Sequence, residues 1–218
     1  MSKPAPLITA LLLGLISLNA QAGPKRVLMI VNEGFQAQEY YVPRKLFEAE
    51  GFNIQTASRF GGTVHPGKRT ALTPAVQTDL AFAEVKVSRY DAVVLAGGGG
   101  AWTDYFPNLQ LHKLMKEAVS DPNRVVALIC AAAGVLATID NLNGQTPHFK
   151  DRHVTGYPEV EGLLRLVGRV NYDGGIPGKP FVVTDGNLVT GRDPLSAELF
   201  GKAVIKVLSA TRLSHPLE

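Results

Sequence analysis

The sequence contains only one cysteine, Cys130, among 218 residues. A single thiol cannot form a disulfide within the chain, so the stability of the fold has to come from packing. Lysine and arginine form no block, and the formal net charge of +3 is small, so no nucleic-acid partner is indicated. The five histidines do not cluster with carboxylates or with the cysteine. We therefore predict neither a metal site nor another cofactor.

Long apolar runs are also missing, except near the amino terminus. Residues 1–22 combine one early lysine, an apolar stretch over residues 7–18 and the small-residue pattern Ala20-Gln21-Ala22, which is typical of a cleaved signal peptide. The apolar stretch is about a dozen residues long, shorter than the roughly 20 that a membrane-spanning helix needs. We expect a periplasmic or secreted protein that lacks residues 1–22 and has no membrane attachment after cleavage.

Residues 23–218 contain no linker or repeat and are predicted to form a single domain. Apolar segments of strand length alternate with segments of helical periodicity. Strands are predicted over residues 26–32, 53–58, 92–96 and 124–129 and in a hairpin over 181–192, and helices over residues 39–50, 109–119, 131–139 and 194–208. This pattern indicates an α/β fold with a doubly wound, mostly parallel sheet and helices on both faces, as in flavodoxin-like domains.

Cys130 lies between the predicted strand at 124–129 and the alanine-rich helix at 131–139. Ligands bind at this carboxyl edge of a doubly wound sheet, and an abrupt strand-to-helix turn, a nucleophile elbow, presents its side chain there. The amides that open the helix lower the pKa of a thiol. The alternative is that Cys130 is a small buried hydrophobic residue, as many free cysteines are. Its position alone does not decide between the two.

Two further segments are expected at the same edge of the sheet. Glu39 opens the first predicted helix, where its carboxyl group can hydrogen-bond a thiol or transfer a proton. The alternative for Glu39 is an acid that interacts favourably with the helix dipole. The run from Gly97 to Gly100 follows a strand and lets backbone amides approach a ligand, although such runs also occur in simple turns.

Six segments of the sequence together resemble the ThiJ/PfpI family: NEGF at 32–35, Glu39 with Pro43, YDAVVLAGGGG at 90–100, ALIC at 127–130, VTGYP at 154–158 and DGNLVTGRDP at 185–194. The resemblance extends over nearly all of residues 23–218. It implies that Cys130 is a nucleophile, that Glu39 hydrogen-bonds it, and that the amides of Gly98 and Ala131 face a developing oxyanion. It also implies a homodimer.

The sequence departs from this family at two positions that carry histidine in other members. Ala131 stands where protease-like members have histidine, and Tyr157 stands where deglycase-like members have it. Without these histidines the usual triad is incomplete, which argues against a peptidase. His148, in the stretch that follows the elbow helix, is a candidate replacement, and His153 is a weaker one.

Four residues are expected to surround the pocket: Tyr157, Trp102, Arg192 and His148. Trp102 follows the glycine run and can either cover a ligand or pack on a neighbouring helix. Arg192 follows the last predicted strand and can either shape the pocket or form an ion pair with Asp193.

Two classes of function are compatible with these residues. In the first, the protein is a cysteine-dependent hydrolase or lyase of glyoxalase or deglycase type that acts on a small-molecule electrophile. Cys130 then adds to a reactive carbonyl group and Glu39 moves the proton. In the second, the protein is a non-catalytic redox or stress-response protein whose Cys130 is oxidised to a sulfinate. A peptidase is the third and weakest hypothesis.

We expect the exported protein to begin at Gly23, because Ala20 and Ala22 have the small side chains that a signal peptidase accepts. Intact-mass analysis of protein recovered from the periplasm or the medium should show the loss of residues 1–22. The Ala22→Arg variant should accumulate as uncleaved precursor. A recovered protein that retains Met1 would contradict the prediction.

Overall fold

The computed structural model describes residues 23–68, 73–139 and 147–211. The predicted signal peptide lies outside the described residues. Within them, no helix combines the length and the apolar character needed to cross a membrane.

Short strands and helices alternate along the described chain. The strands are β1 (Arg26–Ile30), β2 (Asn53–Ser58), β3 (Gly62–Val64), β4 (Val76–Thr78), β5 (Leu80–Ala81), β6 (Ala92–Leu95), β7 (Val125–Ile129), β8 (His153–Val154), β9 (Asn171–Tyr172), β10 (Val182–Asp185) and β11 (Leu188–Gly191). The α-helices are α1 (Ala37–Ala49), α2 (Leu109–Val119), α3 (Val135–Thr138), α4 (Glu161–Leu166) and α5 (Ala197–Ala210).

The central sheet of the described chain has seven strands in the order β10-β11-β7-β6-β1-β2-β5. All neighbours in this sheet are parallel except β10 and β11, which form an antiparallel hairpin at one edge. The pairs β3–β4 and β8–β9 form two separate small sheets. The predicted hairpin over 181–192 is therefore present, as the edge of the main sheet.

Helices cover both faces of this sheet. The chain crosses from β1 to β2 through α1 and from β6 to β7 through α2, in opposite directions along the sheet. Because such crossovers are right-handed, α1 and α2 lie on opposite faces, and α5 packs against α1. The double cover explains why β6 and β7 are buried along their whole length and why the sequence of β1 is almost continuously apolar. The predicted doubly wound, mostly parallel fold is confirmed.

The strand order reverses between β1 and β6, and the loops that follow these two strands meet. The amide of Gln36 donates to the carbonyl oxygen of Gly97 at 2.9 Å, and Phe35 forms an isolated bridge with Gly98. Ligands of doubly wound sheets bind in the crevice at such a reversal. The fold thus predicts a ligand site at the carboxyl ends of β1, β6 and β7.

Two local features differ from the sequence-based expectation. The helix predicted over residues 131–139 begins as a 3-10 segment at Cys130–Gly134 and continues as the single turn α3. The first helix starts at Ala37, two residues before the predicted start at residue 39, and Pro43 lies inside it. Proline has no amide hydrogen, so Pro43 cannot donate to the carbonyl oxygen of Glu39 one turn earlier.

Gly201 fixes how closely α5 packs on α1. A Cβ atom at this position would lie 2.7 Å from Leu46 Cδ1 and 3.1 Å from Pro43 Cα. Gly201→Val should therefore push the helices apart and lower the free energy of unfolding by about 1–3 kcal/mol. Gly162→Ala is the matched control, because nothing lies within 4 Å of a Cβ atom there, and it should leave stability unchanged or raise it by up to about 1 kcal/mol. Urea unfolding measures both, and equal stability of the two variants would refute the packing argument.

Candidate active site

Cys130 lies in a strained turn directly after β7. Its φ angle is 61°, in the left-handed region that costs a residue with a side chain roughly 1–2 kcal/mol. The turn joins the end of β7 to the 3-10 segment Cys130–Gly134, and 6% of the residue is exposed. The cysteine is therefore at the carboxyl edge of the sheet, in a strand-to-helix turn, with restricted access from solvent.

The Glu39 carboxyl group is fully buried beside this thiol. Helix α1 places it in its first turn, and Oε2 accepts a hydrogen bond from the amide of Gly97 at 2.9 Å. The Cys130 thiol interacts with the same carboxyl group, although Oε1 has no hydrogen-bond partner of regular geometry among the described residues. One carboxyl group thus links the loop after β6 to the turn after β7.

Burial dominates the protonation of Glu39. Loss of water around the carboxyl group raises its pKa from 4.5 to about 8, although the hydrogen bonds with Cys130 and with Gly97 act in the opposite direction. The negative charge of Asp193 adds to the increase. Glu39 therefore holds its proton at neutral pH, and it can act as a proton donor or, in its minor ionised form, as a base.

The pKa of the Cys130 thiol differs from the sequence-based expectation. The amides of Ala131 and Gly98 do lower the pKa of Cys130, as predicted for a helix opening. Burial and the charge of Glu39 outweigh them, so the pKa of the thiol is raised above its ordinary value. A charged Glu39 is one cause of the increase, so protonation of the carboxyl group favours the thiolate.

The two amides expected around an oxyanion both interact with the sulfur of Cys130. The position of Gly98 depends on the absence of a side chain: its φ angle is 118°, and a Cβ atom would lie 2.5 Å from both Gln36 N and Gly34 O. Ala131 is the first residue after Cys130 in the 3-10 segment. Both N–H groups thus act on the sulfur, and their role towards an oxyanion stays a prediction.

Tyr157 lies next to Cys130. Its amide donates to the carbonyl oxygen of Cys130 at 3.2 Å, and 36% of the residue is exposed. The charges of Cys130, Asp193 and Glu39 act on its hydroxyl group, together with the larger effect of Glu159. The structure thus brings this predicted pocket residue to the site.

Trp102 contacts the site indirectly, through the ring of Phe106. It is 47% exposed and packs edge-on against Phe106, with ring centroids 5.0 Å apart. The Phe106 ring lies against the elbow, because a Cβ atom on Gly134 would be 2.5 Å from its Cζ atom. Packing on a neighbour, one of the two expectations for Trp102, is what the structure contains. The sequence did not identify Phe106, whose position six residues beyond the glycine run gives no signal.

Arg192 follows the end of β11 and is buried, with 3% of the residue exposed. Its expected contribution to a pocket stays a prediction. Its buried guanidinium forms the expected ion pair with Asp193, at 2.8 Å from Nη2 to Oδ2. The remaining donors bind the carbonyl oxygens of Gly174, Ile176 and Lys179. Arg192 therefore secures the loop that precedes β10. Asp193 contributes more to the site than Arg192, because its charge acts on Glu39.

His148 and His153 lie at the wrong end of the sheet to replace the family histidine. His148 lines a small cavity with Val126 and Leu188, which begin β7 and β11, whereas Cys130 follows the end of β7. Four residues of extended strand span about 13 Å. The amide of His153 donates to Asp185 Oδ2, at that same amino-terminal edge. The predictions for His148 and His153 are corrected accordingly. Within the described residues, no three His, Cys, Asp or Glu side chains are arranged to hold a metal ion.

Comparisons with known proteins agree with this fold. The sequence pattern of the DJ-1/PfpI family matches residues 25–207. A deglycase of Pyrococcus abyssi is 28% identical, over 84% of this chain and 99% of its own length. The glutathione-independent glyoxalase DJ-1 of Schizosaccharomyces pombe is 27% identical, over 56% of each chain. The crystal structure of a ThiJ/PfpI domain protein from Brachyspira murdochii is 28% identical and superposes with a TM-score of 0.73, covering 87% of this chain and 100% of that one.

The pKa of Glu39 predicts how stability depends on pH. Because the pKa is about 8 in the folded chain and 4.5 as the ordinary value, the folded protein binds this proton more tightly than the unfolded chain does. The resulting stabilisation is complete below about pH 4.5 and is lost as pH rises to about 8, by roughly 5 kcal/mol in total. Glu39→Gln keeps an acceptor for the Gly97 amide and has no proton to lose. Urea unfolding across this range should show that, as pH rises, the variant becomes more stable relative to the wild type. The same dependence of unfolding free energy on pH in both proteins would contradict the raised pKa.

Proposed function

Because this chain belongs to the DJ-1/PfpI family, we propose that it is an enzyme that uses Cys130 to act on small reactive carbonyl compounds, as a glyoxalase or deglycase does. The observation that carries this proposal is the position of the Cys130 sulfur, between two amide donors and a carboxyl group of pKa about 8. Two relatives of this chain bear the names deglycase and glyoxalase, which supports the choice of substrate class.

The pKa of the Glu39 carboxyl group suits the first proton transfer, from the thiol to the carboxylate. A base works best when its pKa is close to the operating pH, and burial brings the pKa of Glu39 to about 8. In its ionised form, Glu39 takes the proton of Cys130 and becomes neutral, which removes the charge that opposes the thiolate. The sulfur then bonds to the carbonyl carbon, and the C=O electron pair moves to the oxygen.

The amides of Gly98 and Ala131 stabilise the negative oxygen that forms in this step. Return of the proton from Glu39 to that oxygen completes the addition. With methylglyoxal, ionised Glu39 next removes the hydrogen from the carbon bound to sulfur, and this hydrogen is returned to the neighbouring carbon. The hydroxyl proton of the first oxygen passes to the second oxygen, so the carbon bound to sulfur becomes a thioester carbonyl and its neighbour carries the hydroxyl group. Water hydrolyses the resulting thioester, which releases lactate and the free thiol. The overall reaction consumes one methylglyoxal and one water.

A redox function is the second candidate, and one observation favours it. The sulfur of Cys130 faces two N–H groups and a carboxyl group that is neutral at pH 7. These three donors could equally stabilise the oxygens of a sulfinate. A peptidase has less support, because Ala131 and Tyr157 stand at the two positions where other members carry histidine.

A kinetic comparison tests the proposed enzyme. We expect purified protein lacking residues 1–22 to convert methylglyoxal to lactate, with a rate that increases with pH up to about 8, where Glu39 ionises. Cys130→Ser should abolish turnover, and Glu39→Gln should reduce it by at least about 100-fold. Glu198→Gln is the matched control, because Glu198 is a surface residue of α5 paired with Lys202, and it should leave the rate unchanged.

The redox alternative gives a different result in the same preparations. If the wild type leaves methylglyoxal unconsumed but gains the mass of two oxygen atoms at Cys130 under limiting peroxide, the enzyme proposal fails and the sulfinate function stands. Loss of that oxidation in Glu39→Leu, with its retention in Glu198→Gln, would show that the carboxyl group stabilises the oxidised form.

A further inference from the structure

Tyr157 differs from the other tyrosines of the protein in how its hydroxyl group is used. The chain has six tyrosines, and five of their hydroxyl groups have hydrogen-bond partners in the described chain: Tyr40 with Thr56, Tyr41 with Pro74, Tyr90 with Gln55, Tyr105 with Ile30 and Tyr172 with Gly156. No such partner for the Tyr157 hydroxyl occurs among the described residues. This hydroxyl group is therefore available to a ligand.

The backbone around Tyr157 is fixed at several points. The amide of Thr155 donates to Thr190 Oγ1 at 2.9 Å, and the carbonyl oxygen of Gly156 accepts from the Tyr172 hydroxyl at 2.9 Å. The amide of Tyr157 donates to Cys130 O, and Pro158 restricts the chain that follows. These bonds hold Tyr157 beside the turn that carries the thiol, so little entropy is lost when its hydroxyl group meets a ligand.

Tyr157 also stays protonated. The negative charge of Glu159 is the largest cause that raises the pKa of its phenol, followed by burial and by the charges of Cys130, Asp193 and Glu39. The nearby Arg192 cation is held by Asp193 and by three carbonyl oxygens. The hydroxyl group of Tyr157 is thus a neutral O–H donor, and the charges of Glu159 and of the site act on it.

We propose that Tyr157 donates a hydrogen bond to the second oxygen of a 1,2-dicarbonyl substrate, whose first oxygen accepts from the amides of Gly98 and Ala131. This inference rests on the proposed function, and it deepens that function by naming the residue that recognises the second oxygen of the substrate. A simple aldehyde has only the first oxygen. An anionic 2-oxo acid would place its carboxylate among the charges of Glu159 and Asp193, so neutral dicarbonyls fit best.

The second oxygen is also where charge appears after the addition. When ionised Glu39 removes the hydrogen from the carbon bound to sulfur, the electron pair of that C–H bond forms a C=C bond to the neighbouring carbon. The electrons of the second carbonyl group then move to its oxygen, which becomes negative. A donor held at that oxygen lowers the barrier. The proton on Glu39 is then returned to the carbon that carries the second oxygen, and the hydroxyl proton of the first oxygen passes to the second oxygen, which leaves a thioester carbonyl on the sulfur. Tyr157 keeps its own proton throughout.

Protection of the thiol tests recognition without requiring turnover. The rate of Cys130 alkylation by iodoacetamide is measured with increasing methylglyoxal, and separately with propanal, because reversible addition of either compound blocks the thiol. The ratio of the two half-protecting concentrations is compared between the wild type and Tyr157→Phe, so the different intrinsic reactivities of the compounds cancel. We expect the preference for methylglyoxal over propanal to be about tenfold smaller in Tyr157→Phe than in the wild type. Tyr90→Phe is the matched control, because the Tyr90 hydroxyl binds Gln55 beside the amino end of β6, and it should keep the wild-type ratio.

Turnover provides the second measurement. Tyr157→Phe should lower kcat for methylglyoxal by about 10- to 100-fold, while the alkylation rate without ligand remains that of the wild type. Tyr157→His should restore part of kcat and add a pH dependence near the pKa of histidine, about 6.5.

The outcomes separate this inference from the proposed function. An unchanged ratio in Tyr157→Phe overturns the role of Tyr157, whether or not methylglyoxal is consumed. A reduced ratio without lactate formation by the wild type supports Tyr157 as the recognition residue and overturns the glyoxalase proposal. A fall in the alkylation rate of Tyr157→Phe without ligand would show that Tyr157 acts through the thiol, and would also overturn the inference.

Discussion

Burial of the Glu39 carboxyl group is the constraint on which the site depends. An ionised carboxylate in this position would lack the water that stabilises its charge, and among the described residues a single amide, from Gly97, donates to it at regular geometry. The group therefore keeps its proton at neutral pH. Its burial follows from the fold, because the strand order reverses between β1 and β6 and brings the start of α1 against the loop after β6. The same reversal places the turn after β7 next to both.

The close approach of three backbone segments keeps these groups in place. A Cβ atom on Gly97 would lie 2.6 Å from Ile129 O and 2.8 Å from Glu39 Oε2, so only glycine lets the amide reach the carboxylate oxygen. Cys130 accepts a left-handed backbone conformation in the same region. Two unfavourable local conditions, strain at Cys130 and burial of Glu39, are thus maintained by the packing of the surrounding sheet, which is a common property of functional sites.

The sequence identified those parts of the fold and site that have a local signal. The strands β1, β6 and β7 are apolar because both faces are covered, and Cys130 and Glu39 follow strands whose carboxyl ends share an edge.

Other features of the fold and site depend on partners that are distant in sequence, so they have no local signal. The acceptors of Arg192 are carbonyl oxygens of a loop, which have no side-chain pattern, and His148 lies close to Cys130 in sequence while β7 separates them in space. The alanine-rich stretch after Cys130 favours an α-helix, but the strained turn at Cys130 makes its first residues a 3-10 segment. The raised pKa of the thiol results from burial, which a helix-opening argument omits.

The missing histidines also change the charge balance of the proposed reaction. A histidine at position 131 or 157 would introduce a cation that favours an ionised Glu39 or a resting thiolate. This chain instead places Ala131 and Tyr157 there, and the protonated forms of Cys130, Glu39 and Tyr157 are all neutral. At neutral pH the resting site therefore carries almost no net charge, apart from the ion pair of Arg192 with Asp193. The proposed reaction begins from the ionised form of Glu39, whose charge passes to the sulfur and then to the substrate oxygen. The amides of Gly98 and Ala131 act on that charge with little competing attraction from a neighbouring cation, in surroundings where water screens their effect only weakly.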